Sequence, residues 1–313
     1  MHLTYRQANP ADIPACDWNA LDGFADAPHL LSHVPQVWRR LMAGGGLIMM
    51  LVEDADRPPD QRVVWHGGSL FVAPMTLAEA RQSIAPGIAA RVTAAALAGN
   101  SPGLTTAQIC RANAREGLHL LGLHYALSRA LDAGSAWLVR AKAIEAYHAA
   151  FEGYRLQEIL IEAYGEERCR VMQAGGFCLR SDYGNTVTGA QHPSLFGVTR
   201  EEALADEGSV IASLFAYTPP RFGFKPGEQE MLCRALTGET DGELAANLCV
   251  SPCTIKTRWR TIYDRVQCAC PGLLPATTPH GEQHRGTEKR RRLLTYLRHH
   301  PEEMRPCLPA KKS

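Results

Sequence analysis

Along residues 1 to 217 the apolar positions follow two alternating rhythms. Runs dense in branched and aromatic residues have the length and composition of strands: Leu3 to Ala8, Leu47 to Glu53, Val63 to Val72, Leu118 to Tyr125, Gln157 to Tyr164 and Phe177 to Tyr183. Between them, Pro10 to Leu21, Val34 to Ala43, Thr105 to Arg115, Ala141 to Phe151 and Glu166 to Ala174 carry apolar residues three and four apart, as a helix with one buried face requires. Leu77 to Leu97 is also helical in pattern, broken near Pro86. Strand and helix segments alternate, so this region is expected to be an α/β domain with a mixed sheet covered by helices.

The rhythm changes at Pro219-Pro220, where a helix cannot continue, and from there the pattern is helical. A second stretch rich in breakers, from Pro271-Gly272 through Pro279 and Gly281 to Gly286, reads as a linker. The expected organisation is an α/β domain over residues 1–217, an all-α domain over 220–267, a linker over 268–286, and a basic helix with tail over 287–313. That last helix is expected to start at Thr287 as N-cap, with Leu293, Leu294 and Leu297 on one face and Lys289-Arg290-Arg291-Arg292 on the other.

The 220–267 segment has the sharpest signals. Pro226 opens a helix with Met231, Leu232, Ala235 and Leu236 on one face. Thr240 is the N-cap of a second helix, and Glu243 completes a capping box. Ser251 and Pro252 start a third, whose apolar stripe is Ile255, Trp259, Ile262, Tyr263 and Val266. Opposite that stripe lies a face with Lys256, Thr257 and Arg260, flanked by Arg258 and Arg265. Two helices joined by a tight turn, the second exposing basic and hydroxyl side chains, have the layout of a helix-turn-helix presented to a major groove.

The segments Phe224 to Leu232, Thr240 to Ala245, Val250 to Lys256 and Ile262-Tyr263 together resemble the LuxR-type helix-turn-helix family of bacterial transcription regulators. The resemblance implies sequence-specific double-stranded DNA as partner, with Lys256, Thr257 and Arg260 reading bases and Ser251, Thr254, Arg258 and Arg265 on the backbone. It also implies a homodimer, because one recognition helix reads too few base pairs. Cys253 and Gly242 stand where that family commonly has arginine and lysine.

A second resemblance lies at the other end. Tyr5 to Pro14 and Ala143 to Tyr154 resemble the opening and a helix-to-strand segment of the GNAT acetyltransferase fold. That family holds acetyl-CoA with a loop of the type Q/R-x-x-G-x-G/A, whose N–H groups grip the pyrophosphate at a helix start. The best match taken from the sequence is Gln82 to Gly87, in which Ala85 replaces the first glycine and Pro86 removes a donor. Gly44-Gly45-Gly46 precedes a strand and fails as a phosphate loop. His119 and His124 lie in an apolar stretch and read as structural, and no nucleophile, base and orienter set is legible.

Composition adds one point. Of 313 residues, 45% are hydrophobic and 21% charged, which excludes wholesale disorder and fibrous repeats. The net charge of +1 divides unevenly: residues 1–219 hold 17 Lys+Arg against 22 Asp+Glu, and residues 220–313 hold 16 against 10. That basic end suits an anionic partner. The 10 cysteines are expected as free thiols in a cytoplasmic protein, since no signal-like start or membrane-length apolar run is present. Cys249, Cys253, Cys268, Cys270 and His284 have the wrong spacing for zinc, so no metal and no cofactor are expected. The expectation from sequence is a non-enzymatic transcription regulator whose first domain senses a small ligand or mediates dimerisation. The alternative is a GNAT-like acyltransferase with a DNA-localising carboxy-terminal module.

Overall fold

In a computed structural model the chain divides into two compact units, Met1–Ala216 and Tyr217–Ser313. The structure describes residues 1–184, 192–206, 208–275 and 282–307, with side chains of the last segment from residue 286.

The first unit is a seven-stranded mixed sheet between two helical layers. Its strands are β1 (Leu3–Gln7), β2 (Leu47–Asp54), β3 (Val63–Val72), β4 (Leu118–Leu127), β5 (Leu156–Tyr164), β6 (Cys178–Asp182) and β7 (Pro193–Thr199). They lie in the order β1-β2-β3-β4-β5-β7-β6, and every neighbouring pair is antiparallel except β4 and β5. Parallel neighbours need a crossover, supplied here by the 19-residue helix between them.

On one face sit α1 (Val34–Ala43), α2 (Pro74–Gln82) and α3 (Ile88–Leu97), packed with Val37, Trp38 and Leu77 against Met49, Leu51, Leu70 and Leu121. On the other sit α4 (Thr106–Ala114) and the crossover helix α5 (Ala133–Phe151), with Ile109, Val139 and Phe151 against Met50, Phe71 and Leu120. α6 (Glu166–Ala174), α7 (Arg200–Ala205) and the short α8 (Ala212–Phe215) complete the unit. The nearly continuous apolar runs of the strands thus fill both faces of one central sheet.

Three expectations change. Pro10 to Leu21 forms two 3-10 turns, Ile13–Ala15 and Trp18–Ala20, instead of a helix, because Asp12 and Asp17 bond nearby backbone in place of a helical ladder. α5 begins at Ala133, capped by Asp132, well before Ala141. β7, α7 and α8 were not legible at all.

The second unit contains α9 (Pro226–Leu236), α10 (Asp241–Asn247), α11 (Pro252–Ala269) and α12 (Glu282–Arg298). Its core joins Phe224, Met231, Leu244, Ile255, Ile262 and Leu293. Thr240 with Glu243 forms the capping box of α10, and Ser251 accepts from Thr254 N at the start of α11, 3.1 Å. α11 runs to Ala269, past the expected start of the linker, and α12 begins at Glu282, ahead of Thr287. Glu303 fixes the ends of this unit: fully buried, it accepts from Arg221 N at 2.7 Å and Phe222 N at 3.0 Å, tying the first residues of the unit to the last described turn.

Candidate active site

β4 and β5 pair from Leu118↔Leu156 to Gly122↔Ile161, and there their ladder ends. β4 nevertheless continues to Leu127 and β5 to Tyr164, so five residues of β4 and three of β5 run on past the last pair. Gly122 is required where the strands part, since a Cβ at that position would lie 2.7 Å from Ile161 Cγ1. On its other edge β4 is bulged: Gly68 pairs with His124 and Ser69 with Gly122, leaving Leu123 without a partner in β3. A bulge bends its strand and strengthens its twist, which favours divergence from β5. The product is a V-shaped gap whose inner edges carry backbone N–H and C=O groups outside the ladder.

Polar side chains from distant parts of the sequence gather around this gap. On the β4 side, Trp38 Nε1 donates to His124 Nδ1 at 3.1 Å, His124 Nε2 is 3.1 Å from His66 Nδ1, and His66 Nε2 is 3.3 Å from the Asp17 carbonyl. An indole only donates and a carbonyl only accepts, so the direction is fixed: each neutral imidazole carries its proton on Nε2 and passes it toward Asp17. Burial pushes His66 down to about 4 and His124 well below its ordinary value, which keeps both rings neutral near pH 7. His66 also lines a cavity of about 190 Å³ with Asp17, Arg57, Asp60, Ser128 and Ala130.

On the β5 side, Glu162 is the first residue past the last ladder pair. Its Oε2 accepts from Gly87 N at 3.1 Å, Ile88 N at 2.8 Å and Tyr164 Oη at 2.8 Å. Its Oε1 has no hydrogen bond and faces Arg91 Nη2 at 3.9 Å. Burial raises this carboxyl above its ordinary value, against the pull of those donors. On the opposite face Tyr125 of β4 packs with Ile161, Ala163 and Phe196, its buried hydroxyl lacks a partner, and burial holds it protonated. The Arg168 guanidinium lies over the Tyr125 ring at 4.9 Å and pairs with Asp22. Asp17 thus touches β3, while Asp22 and Gly23 reach α6 and Tyr164, so the segment between them crosses the end of the gap.

The substitutions at Ala85 and Pro86 count against a phosphate loop at Gln82 to Gly87, and the helix pattern broken near Pro86 is what the structure shows. In the structure Gln82 to Gly87 joins α2 to α3, and the Gly87 and Ile88 amides are taken by Glu162; the segment is no anion cradle. The connection that does follow β4 into a helix is Arg129-Ala130-Leu131-Asp132-Ala133-Gly134. It has the Q/R-x-x-G-x-G/A spacing with Asp132 at the first glycine. The spacing was legible, but with α5 expected only from Ala141 nothing marked it as a helix start. Glu162, Tyr125 and His66 share no local spacing and carry no signal in the sequence; His124 is buried and bonded at both ring nitrogens, in keeping with a structural reading.

In the second unit the residues expected to meet DNA divide by what they already contact. Ser251, Lys256, Thr257 and Arg260 are exposed, while Thr254, Arg258 and Arg265 are partly buried. Arg265 is turned inward, donating to the Gly223 carbonyl at 2.7 Å and to Glu228 at 3.2 Å, so it braces α9 and is unavailable to a phosphate. The basic run of α12 is similarly engaged: Arg290 lies over Trp259 and bonds Asp241, and Arg291 and Arg292 both bond Glu288. His284 of the rejected zinc set lies outside the described side chains, and no group of metal-ligating residues occurs among the described residues. Among the described residues no helix is long and apolar enough to cross a membrane.

No family model matches the sequence, and no curated protein does. Solved structures do, over the first part of the chain. NAA60 of Arabidopsis thaliana, in complex with a bisubstrate analogue, is 12% identical, covering 63% of this chain and 98% of its own at a TM-score of 0.36. A GNAT-family acetyltransferase from Bacillus cereus is 9% identical over 64% of this chain and 98% of its own, TM-score 0.32. The spermidine/spermine N-acetyltransferase SpeG of Vibrio cholerae is 10% identical over 65% and 96%, TM-score 0.36. The expectation of a non-enzymatic transcription regulator is corrected on this point: the structures matched over the first part of the chain are acetyltransferases, and none of these three extends the likeness to a helix-turn-helix module. At such identities the likeness concerns fold, and the chemistry must be argued from the gap and its side chains.

Proposed function

We propose that residues 1–216 transfer an acyl group from a thioester of the pantetheine class to a primary amine. The observation that carries this reading is the parting of β4 and β5 after Gly122 and Ile161. A pantetheine arm is a slender chain with two amides, and lying between the strands it can pair with their unladdered N–H and C=O groups as an added strand does. Its thioester end then lies among Glu162, Tyr125 and the bulge at Leu123. Glu162 Oε1, buried and free of hydrogen bonds, takes the proton of the attacking amine. The amine nitrogen bonds the thioester carbonyl carbon, the carbon–sulfur bond breaks, and the sulfur leaves as a thiolate that takes a proton from water, while Glu162 returns the amine's proton to solvent. The products are an amide and a free thiol.

A cationic acceptor suits the approach beside α6, where Glu166 and Asp182 line a cavity of about 370 Å³. The test incubates the full chain with acetyl-pantetheine or acetyl-CoA and a panel of polyamines and amino-acid amides, reading acylated product by mass spectrometry. Product is expected, with kcat/KM about 10²-fold lower in Glu162→Gln and the alkaline-rising limb of its pH profile lost. Absence of any acylated amine across the panel, with both donors, overturns the proposal.

A further inference from the structure

We infer that this site takes its donor by the pantetheine arm alone and has no use for the 3′-phospho-ADP end of coenzyme A; the inference rests on the acyl-transfer reading above. The phosphate cradle expected of a nucleotide-bearing thioester is filled by the protein's own carboxylate. Asp132 caps α5, its Oδ1 accepting from Ser135 N at 2.9 Å and its Oδ2 from Ser135 Oγ at 2.8 Å. The Ala130 amide is held by Ser128 Oγ at 3.4 Å. An anion arriving there meets a negative charge where the family's loop offers a glycine N–H.

The other helix starts near the gap follow the same rule. Glu162 occupies the first amides of α3, and α6 opens with Glu166 and Glu167. The cations near these positions are engaged. Arg129 donates to the Asn19 carbonyl at 3.0 Å, Arg140 pairs with Glu167 at 2.7 Å, Arg168 pairs with Asp22, and Arg91 bonds the Ala85 and Pro86 carbonyls at 2.8 Å each. Binding a diphosphate would therefore require breaking existing pairs and bringing like charges together. A pantetheine arm is neutral up to its phosphate end and meets no such penalty in the gap. The chemistry is shared by a free pantetheine thioester and by one carried on a protein serine through a single phosphodiester.

The experiment measures binding and turnover of the full chain with acetyl-pantetheine, acetyl-CoA and an acetyl-phosphopantetheinyl carrier protein, with 3′-phospho-ADP as competitor, in wild type and Asp132→Gly. The expected result is that acetyl-CoA binds within about threefold of acetyl-pantetheine, that 3′-phospho-ADP at millimolar concentration does not compete, and that Asp132→Gly selectively tightens acetyl-CoA by tenfold or more. Stronger binding of the carrier protein than of acetyl-pantetheine would assign the protein-borne source; equal binding would assign the free one. Acetyl-CoA binding 100-fold tighter than acetyl-pantetheine, with competition by 3′-phospho-ADP, overturns the inference while leaving acyl transfer intact. If none of the three donors binds, the acyl-transfer reading itself falls.

Discussion

The neutral chain Trp38–His124–His66–Asp17 makes the first unit sensitive to mild acid by an amount that the structure sets. His66 is 3% exposed, and burial lowers it from 6.5 to about 4. In the unfolded chain the ring takes a proton near pH 6.5; in the folded chain it does not until about pH 4. The stabilisation from keeping it neutral is therefore complete above pH 6.5, declines as pH falls from 6.5 toward 4, and declines no further below that. At 1.36 kcal/mol per pH unit, the interval corresponds to about 3 kcal/mol, a large share of the 5–15 kcal/mol typical of a domain. His124, also lowered by burial and by His66, acts in the same direction. The assay is urea denaturation of the full chain from pH 7 to 4, followed by tryptophan signals, with His66→Leu in parallel. The variant should lose about 1–3 kcal/mol at pH 7, because His124 Nε2–H is left buried without an acceptor. It should also lose the His66 share of the pH dependence between 6.5 and 4, with His124 keeping only the part that its own burial sets. A variant with the wild-type slope over that interval would refute the reasoning.

Two further outcomes follow from the geometry. Gly122→Val places a branched side chain against Ile161 Cγ1 and Cδ1, 2.7 and 2.8 Å from the Cβ position; it should cost about 1–3 kcal/mol and abolish thioester binding, read by calorimetric titration with acetyl-pantetheine. Glu303→Ala leaves the Arg221 and Phe222 amides without their acceptor and should destabilise the second unit by about 3 kcal/mol; accelerated hydrogen exchange at residues 221 and 222, with the β4 and β5 amides unchanged, is the expected signature.

Much of the sheet was legible because its strands are nearly continuous apolar runs bounded by breakers: β3 spans Val63–Val72 as expected, and α1 and α6 match their periodic segments. β7 was not, although Ser194 to Val198 are buried, because Pro193 and Gly197 interrupt the composition that marks a strand. The amino-terminal helix failed for the opposite reason: Pro10 and Pro14 remove amide donors, Asp12 and Asp17 satisfy backbone locally, and tertiary anchors such as Trp18 Nε1 on the Ile13 carbonyl at 2.9 Å hold 3-10 turns instead. Caps at Thr240 and Ser251 were read correctly because a cap is a local event, settled within four residues.

The site belongs to a different class of information. Trp38, His124, His66 and Asp17 come from four segments joined by one hydrogen-bonded chain and Glu162 from a fifth, and the sheet order β3-β4-β5 sets His66, His124 and Glu162 on successive strands. Their polarity gave no periodic signal, since a histidine or glutamate in an apolar run looks the same whether it is a core group or a working one. What distinguishes Glu162 is an imbalance within a single carboxylate: three donors crowd Oε2, while Oε1, equally buried, has none. A carboxylate serving only to cap α3 would gain by sharing those donors between its oxygens. Burial of an oxygen that no donor bonds raises its affinity for a proton, outweighing Arg91 at 3.9 Å, and at a point where two parallel strands separate that is the property the proposed base for amine attack requires.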